Sequence, residues 1–205
     1  MLGTVVFMKG TVLGVLAVAI CGLAVLTAAP QAARTWVSKT VEGISPTAVA
    51  MNPISTLAWV GYFVWTDQHA ALLADALYLP GEVLLLGIVL RTGIRSTKPI
   101  AFAGIWILGL ALAAAIGNST ILSTFLALGT AVQAGSSVAA SLRSKGLSGL
   151  SPWMWVLTFA QACAWAGYGM LSGNTGSIEW AVVTAGASAT ILARWLYAST
   201  QPCLN

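Results

Sequence analysis

The sequence predicts an all-α membrane protein, with seven transmembrane helices forming two parallel three-helix bundles joined by a linker helix (3+1+3). Three observations carry that prediction. Charged residues are 7% of the 205 and hydrophobic residues 58%, with a mean hydropathy of +0.88. Soluble domains use about a quarter charged residues, whereas in lipid apolar side chains face outward on every helix. Seven apolar stretches of spanning length follow one another with brief polar breaks. One block of the chain then recurs 106 residues further on.

The stretches fall at 11–32, 46–65, 70–91, 99–117, 119–142, 152–172 and 176–198, each near the ~20 residues that cross a bilayer. The first follows Lys9 and ends before Arg34. Its basic start, apolar run and Thr27-Ala28-Ala29 also resemble a signal peptide with a cleavage site. The repeat argues for a retained span, because this segment belongs to a unit that recurs. Spans two and six open on Ser45-Pro46 and Ser151-Pro152. The third follows Thr66 to His69, the fourth follows Arg91 to Lys98, and the seventh follows Ser172 to Gly176. Only Gly117-Asn118 divides the fourth from the fifth.

With seven spans, one side collects Arg34, Lys39, Arg91, Arg95, Lys98, Arg143, Lys145 and Arg194, eight of the nine basic residues. Lys9 alone lies on the other. The positive-inside rule therefore places the N-terminus outside and the C-terminus in the cytoplasm. Short loops lean towards a bacterial plasma membrane. The net charge of +4 forms no basic face, which argues against a nucleic-acid partner. Cys21, Cys163 and Cys203 show no CxxC or Cys/His spacing, so neither a disulfide framework nor a metal site is expected.

The repeat aligns 33–62 with 139–168 without a gap, with identities including Ser38/Ser144, Lys39/Lys145, Gly43/Gly149, Pro46/Pro152, Trp59/Trp165, Gly61/Gly167 and Tyr62/Tyr168. The repeated unit holds three helices, so two copies keep one orientation only with an extra helix between them. The expected organisation is 1–95 as the first repeat, 96–118 as the linker helix, and 119–205 as the second repeat with a short tail.

Physics singles out the third span. Asp75 and Glu82 are seven residues apart, two helical turns, and share one face. An ionisable residue inside the membrane costs about 2.5–3.5 kcal/mol on insertion scales and faces a polar cavity by default. Pro80 between them kinks the helix. Asp75 is expected to line a pathway. Glu82 is either a proton-binding carboxyl or a structural hydrogen-bonding group, and Glu179 a solvated end residue. Trp59 and Trp165 sit well inside their spans at equivalent positions, suited to stacking on a sugar ring or a cation. Trp36, Trp65, Trp153 and Trp155 read as interfacial belts. Asn52 and Gln161 either line the cavity or bond between helices.

Pro30-Gln31, Lys39, Gly43-Ile44-Ser45 and Trp59-Val60-Gly61-Tyr62, with Ser144-Lys145, Gly149-Leu150-Ser151 and Trp165-Ala166-Gly167-Tyr168-Gly169, resemble the PQ-loop superfamily. Within it the likeness is to the SWEET and SemiSWEET sugar transporters, and it covers essentially the whole chain. The resemblance implies a uniporter working by alternating access around a central cavity. It implies that Trp59 and Trp165 hold the sugar, and that Pro30, Pro46 and Pro152 act as hinges. The family's Asn on the third helix falls near Asp75 in the first copy and Ala181 in the second, and Ser136-Ser137 stand where a second Pro-Gln is expected.

Enzymatic readings find no Ser/His/Asp set, HExxH or P-loop, and no cofactor is expected. The last span lacks a lysine for retinal. The expected function is a SWEET-like transporter of a small polar solute, a sugar in the resemblance's terms, with membrane lipid as its surroundings and homo-oligomers left open. The alternatives are a proton-coupled PQ-loop carrier of amino acids or cationic solutes, and a non-transporting receptor or assembly protein of the same fold.

Overall fold

The computed structural model describes residues 2–92 and 98–200, with side chains described from residue 10 onward. Arg95, Cys203 and the side chain of Lys9 lie outside the described residues. Seven helices follow in order: α1 (Leu2–Ser38), α2 (Pro46–Trp65), α3 (His69–Thr92), α4 (Lys98–Ala115), α5 (Ser119–Arg143), α6 (Pro152–Ser172) and α7 (Thr175–Thr200). No strand occurs among the described residues.

The helix ends are written in local chemistry. The Ser45 hydroxyl accepts from the Ala48 N–H at 3.1 Å, with Pro46 directly after it; proline at the first helical position gives up a donor that would be unused anyway. Ser151-Pro152 repeats the arrangement without the side-chain bond. Pro46 and Pro152 thus start helices and interrupt none, while Pro30, Pro53 and Pro80 lie inside α1, α2 and α3. The narrow break between α4 and α5 holds because Gly117 takes φ +73°. The Asn118 side chain then accepts from Thr120 and Ile121 N–H at 2.9 and 3.2 Å. Gly173, at φ +78°, closes α6 in the left-handed conformation that glycine tolerates.

The first helix runs beyond the expected 11–32 at both ends. It passes through Thr27-Ala28-Ala29 unbroken, with Thr27 and Ala28 buried. It continues to Ser38 because Gln31 and Thr35 find partners inside the protein; Lys39, at φ 53°, then ends it.

Helix contacts come in pairs 106 residues apart. In the first half α3 packs between α1 and α2; in the second α7 packs between α5 and α6. The halves meet through α1 on α6 and, equivalently, α5 on α2. Among the described residues α4 touches only α2 and α5. This is the 3+1+3 arrangement.

Burial is inverted relative to a soluble fold. Outward positions carry Val18 (74% exposed) and Ile105 (69%), whereas Thr27, Thr35, Ser141 and Ser188 are wholly buried. Five helices (α1, α3, α4, α5, α7) are long and apolar enough to cross a membrane. The other two, α2 and α6, contribute the polar residues Asn52, Ser55, Thr56, Thr158 and Gln161 to the interior. The chain is a seven-helix membrane protein.

The linker helix is held by one ring. Trp106 stacks on Phe125 at 4.7 Å and 10°, and its indole N–H donates to Ser55 Oγ at 3.1 Å. A Cβ on Gly129 would lie 2.1 Å from this ring. Gly129→Val should therefore lower the thermal stability of the detergent-solubilised protein by about 1–3 kcal/mol, the usual cost of overpacking. Gly87→Ala, where a Cβ meets nothing within 4 Å, should leave the melting temperature near that of the parent.

Candidate functional site

The two halves enclose a cavity of about 130 Å³. Its walls come from facing positions on α2, α3, α5, α6 and α7. The interface flanking it is stitched by polar pairs that obey the repeat. On one side the Thr27 hydroxyl meets the Gln161 amide at 3.4 Å, and on the other Gln133 Nε2 donates to Ser55 Oγ at 2.5 Å. Thr27 and Gln133 are equivalent positions, as are Ser55 and Gln161. The amide has changed sides, yet each pair is kept.

At the basic end the α1–α2 and α5–α6 loops interlock. The Gln31 carboxamide donates to Gly149 C=O at 2.7 Å and accepts from Ser151 N–H at 2.9 Å. Its equivalent region replies with a Ser45–Ser136 hydroxyl pair at 3.0 Å. The Glu42 carboxylate accepts from Gly146 N–H at 2.9 Å and from the Ser148 hydroxyl at 2.7 Å. Arg34 Nε donates to Ser148 C=O at 2.8 Å. The loops cross so closely that a Cβ on Gly149 would sit 2.8 Å from backbone atoms of Thr40 and Glu42.

Aromatic rings close the opposite end. Phe63 lies between Trp59 (5.4 Å, 24°) and Trp165 (6.1 Å, 8°). Tyr62 and Tyr168 brace the two tryptophans edge-on, at 5.5 and 5.6 Å. Beyond this layer Asn174 Nδ2 donates to Gln68 Oε1, another equivalent pair. His69 and Asp67 form an exposed ion pair at 3.2 Å there.

The cavity gathers Asn52, Trp59, Asp75, Glu82 and Gln161, all singled out in the sequence. Trp165 does not line it. Trp165 borders a smaller adjoining chamber of about 20 Å³ with Trp59, Phe63, Asp75, Ser177 and Trp180. The reason is Phe63, whose equivalent in the second half is Gly169: a single ring between the tryptophans breaks the symmetry. Trp155, expected in an interfacial belt, lines the cavity as well, whereas Trp36, Trp65 and Trp153 are exposed. Glu179 is exposed.

Glu82 is 4% exposed. The Thr56 hydroxyl lies against its carboxyl group, and its Oε2 has no partner. Trp59 Nε1 is likewise buried and unpartnered. Among the described residues no three His, Cys, Asp or Glu gather as a metal would require.

No protein-family model matches the chain, and no curated protein matches it.

Sequence reasoning missed Glu42, Ser148, Gln68, Asn174, Phe63, Tyr78 and Trp180. The 106-residue shift, applied to every polar position and not only to identities, pairs Glu42 with Ser148 and Gln68 with Asn174. If the Gln31 clamp holds the loops, Gln31→Leu, close in size but unable to bond, should lower thermal stability by about 1–3 kcal/mol, since two buried backbone groups lose their partners. A Gln31→Leu protein that melts with the parent would show that the clamp carries no weight.

Proposed function

We propose that this chain is a transporter of the SWEET type, moving one small polar solute across the membrane by alternating access. One observation carries the reading: a cavity with polar groups in its wall lies between two equivalent bundles, with interlocked loops at one end and an aromatic layer at the other. Such a cavity can open to one side by parting the interlocked loops, or to the other by parting the aromatic layer. The pairing of contacts by the repeat supports a rocking of one bundle on the other.

Size narrows the solute. A cavity of about 130 Å³ is close to the ~150 Å³ cavity that accepts benzene in an engineered core. That size suits a solute of about one six-membered ring. Trp59 offers an aromatic face, while Asn52, Thr56 and Asp75 supply hydrogen-bonding groups to a hydroxylated solute. In this reading the basic end faces the cytoplasm of a plasma membrane.

A second reading, coupling to protons, is favoured by the two carboxyls in the wall. Uptake of labelled glucose and sucrose into proteoliposomes, with and without a proton gradient, tests both. The facilitator predicts saturable uptake of single-ring solutes, indifferent to the gradient, little sucrose flux, and about a five- to thirtyfold loss in Trp59→Ala, since stacking contributes on the order of 1–2 kcal/mol. Gradient-dependent uptake would favour the coupled carrier. Absence of saturable uptake of any small polar solute would leave a non-transporting membrane protein of this fold.

Alternating access also predicts that locking one end stops transport. In a background with Cys21, Cys163 and Cys203 replaced, Gln68→Cys with Asn174→Cys should crosslink on oxidation and abolish flux, with recovery on reduction. Full flux in the crosslinked protein would rule out movement at that end.

A further inference from the structure

The cavity wall holds two carboxyl groups with no basic group opposite them. Asp75 and Glu82 line it, and among the described residues no Lys, Arg or His does. The other titratable group facing it is the Tyr78 hydroxyl, on the same helix. α7, packed across the cavity, presents Ala181, Thr184 and Ser188 at the positions equivalent to Asp75, Tyr78 and Glu82. The Ser188 hydroxyl is already committed to Thr184 C=O at 2.8 Å. The acidity therefore belongs to one half only and has no basic partner among the described residues.

Two buried atoms on the wall lack hydrogen bonds, and they ask for different things. Glu82 Oε2 can accept from a donor; Trp59 Nε1–H can only donate to an acceptor. Trp59 and Asp75 border the aromatic end, while Glu82 lies about 10 Å further along α3, seven residues at ~1.5 Å each. A neutral sugar would offer Glu82 a hydroxyl but no charge. An ammonium group offers both, and a hydrogen bond between charged partners is about twice as strong as a neutral one. Aromatic faces beside the carboxyls add attraction for a cation.

We infer that the cavity is a binding site for a small organic cation: a hydroxylated, ammonium-bearing solute of about one sugar ring in size. Glu82 takes the ammonium, Asp75 supplies the second negative wall, and Trp59 N–H meets a solute oxygen. The inference rests on the proposed solute site and names the charge of what that site selects. Specificity then lies in α3 of the first half, because the second half presents no charge.

Matched pairs that differ in one group test it. Binding of glucosamine against glucose, and of ethanolamine against ethylene glycol, is followed by intrinsic tryptophan fluorescence of the purified protein in detergent, at a pH where the amines are protonated. Each amine should bind at least about tenfold more tightly than its neutral partner, the scale of one charge-assisted hydrogen bond. Glu82→Gln keeps the shape and a hydrogen-bonding group, and should cut that preference to about twofold or less; Asp75→Asn should reduce it in part. Thermal melting of both variants verifies that they are folded. Equal binding within each pair, a preference that survives both substitutions, or no amine binding at all would overturn the inference. The outcomes separate it from the transport reading. Glucose flux without an amine preference removes the cation and keeps the transporter; selective amine binding without flux does the reverse.

Discussion

In hydrocarbon a polar side chain can find a partner only inside the protein, and this structure is organised around that constraint. The outer faces are given to Val, Leu and Ile, and the hydroxyls and amides turn inward. There they bond across the interface: Thr27 with Gln161, Gln133 with Ser55, Gln31 with the α5–α6 loop. The polar interior and the joint between the halves are therefore the same surface. A cavity opening at that joint is polar without any further provision.

Equivalence is strict in the scaffold and relaxed at the site. Helices α2 and α6 begin on the same Ser-Pro pair, and α3 and α7 start 106 residues apart. Around the cavity the halves differ: Asp75 faces Ala181's side of the fold, Glu82 answers to Ser188, and Phe63 to Gly169. Packing tolerates little change of volume, so the frame keeps its pattern. The cavity wall has no such neighbour to satisfy, and that is where the two halves have separate chemistry.

Much of this was legible from the chain. The bounds of α2 were met, and those of α3, α6 and α7 lay within two residues, because Ser-Pro starts and short polar breaks leave little freedom. The far end of α1 was not legible, since nothing local marks that Gln31 is satisfied by Gly149 and Ser151. Asp75, Glu82, Trp59 and Asn52 could be named as wall residues because charge, ring and amide are conspicuous in apolar helices. Trp165 could not be placed one layer outward, since that depends on Phe63, a residue ordinary in any membrane span. Glu42 carried no local signal, because its partners lie more than 100 residues away.

The Glu42–Ser148 contact joins two equivalent positions, so it lies where the pseudo-twofold axis leaves the protein. The Gln68–Asn174 contact marks where the axis leaves at the other end. In an assembly of two identical half-length chains, a residue on that axis would face its own copy. An amide can do so comfortably, because it both donates and accepts. A glutamate cannot, because two carboxylates would repel. The Glu42–Ser148 pairing is thus closed to two identical half-length chains and open to this one, whose halves are free to change separately.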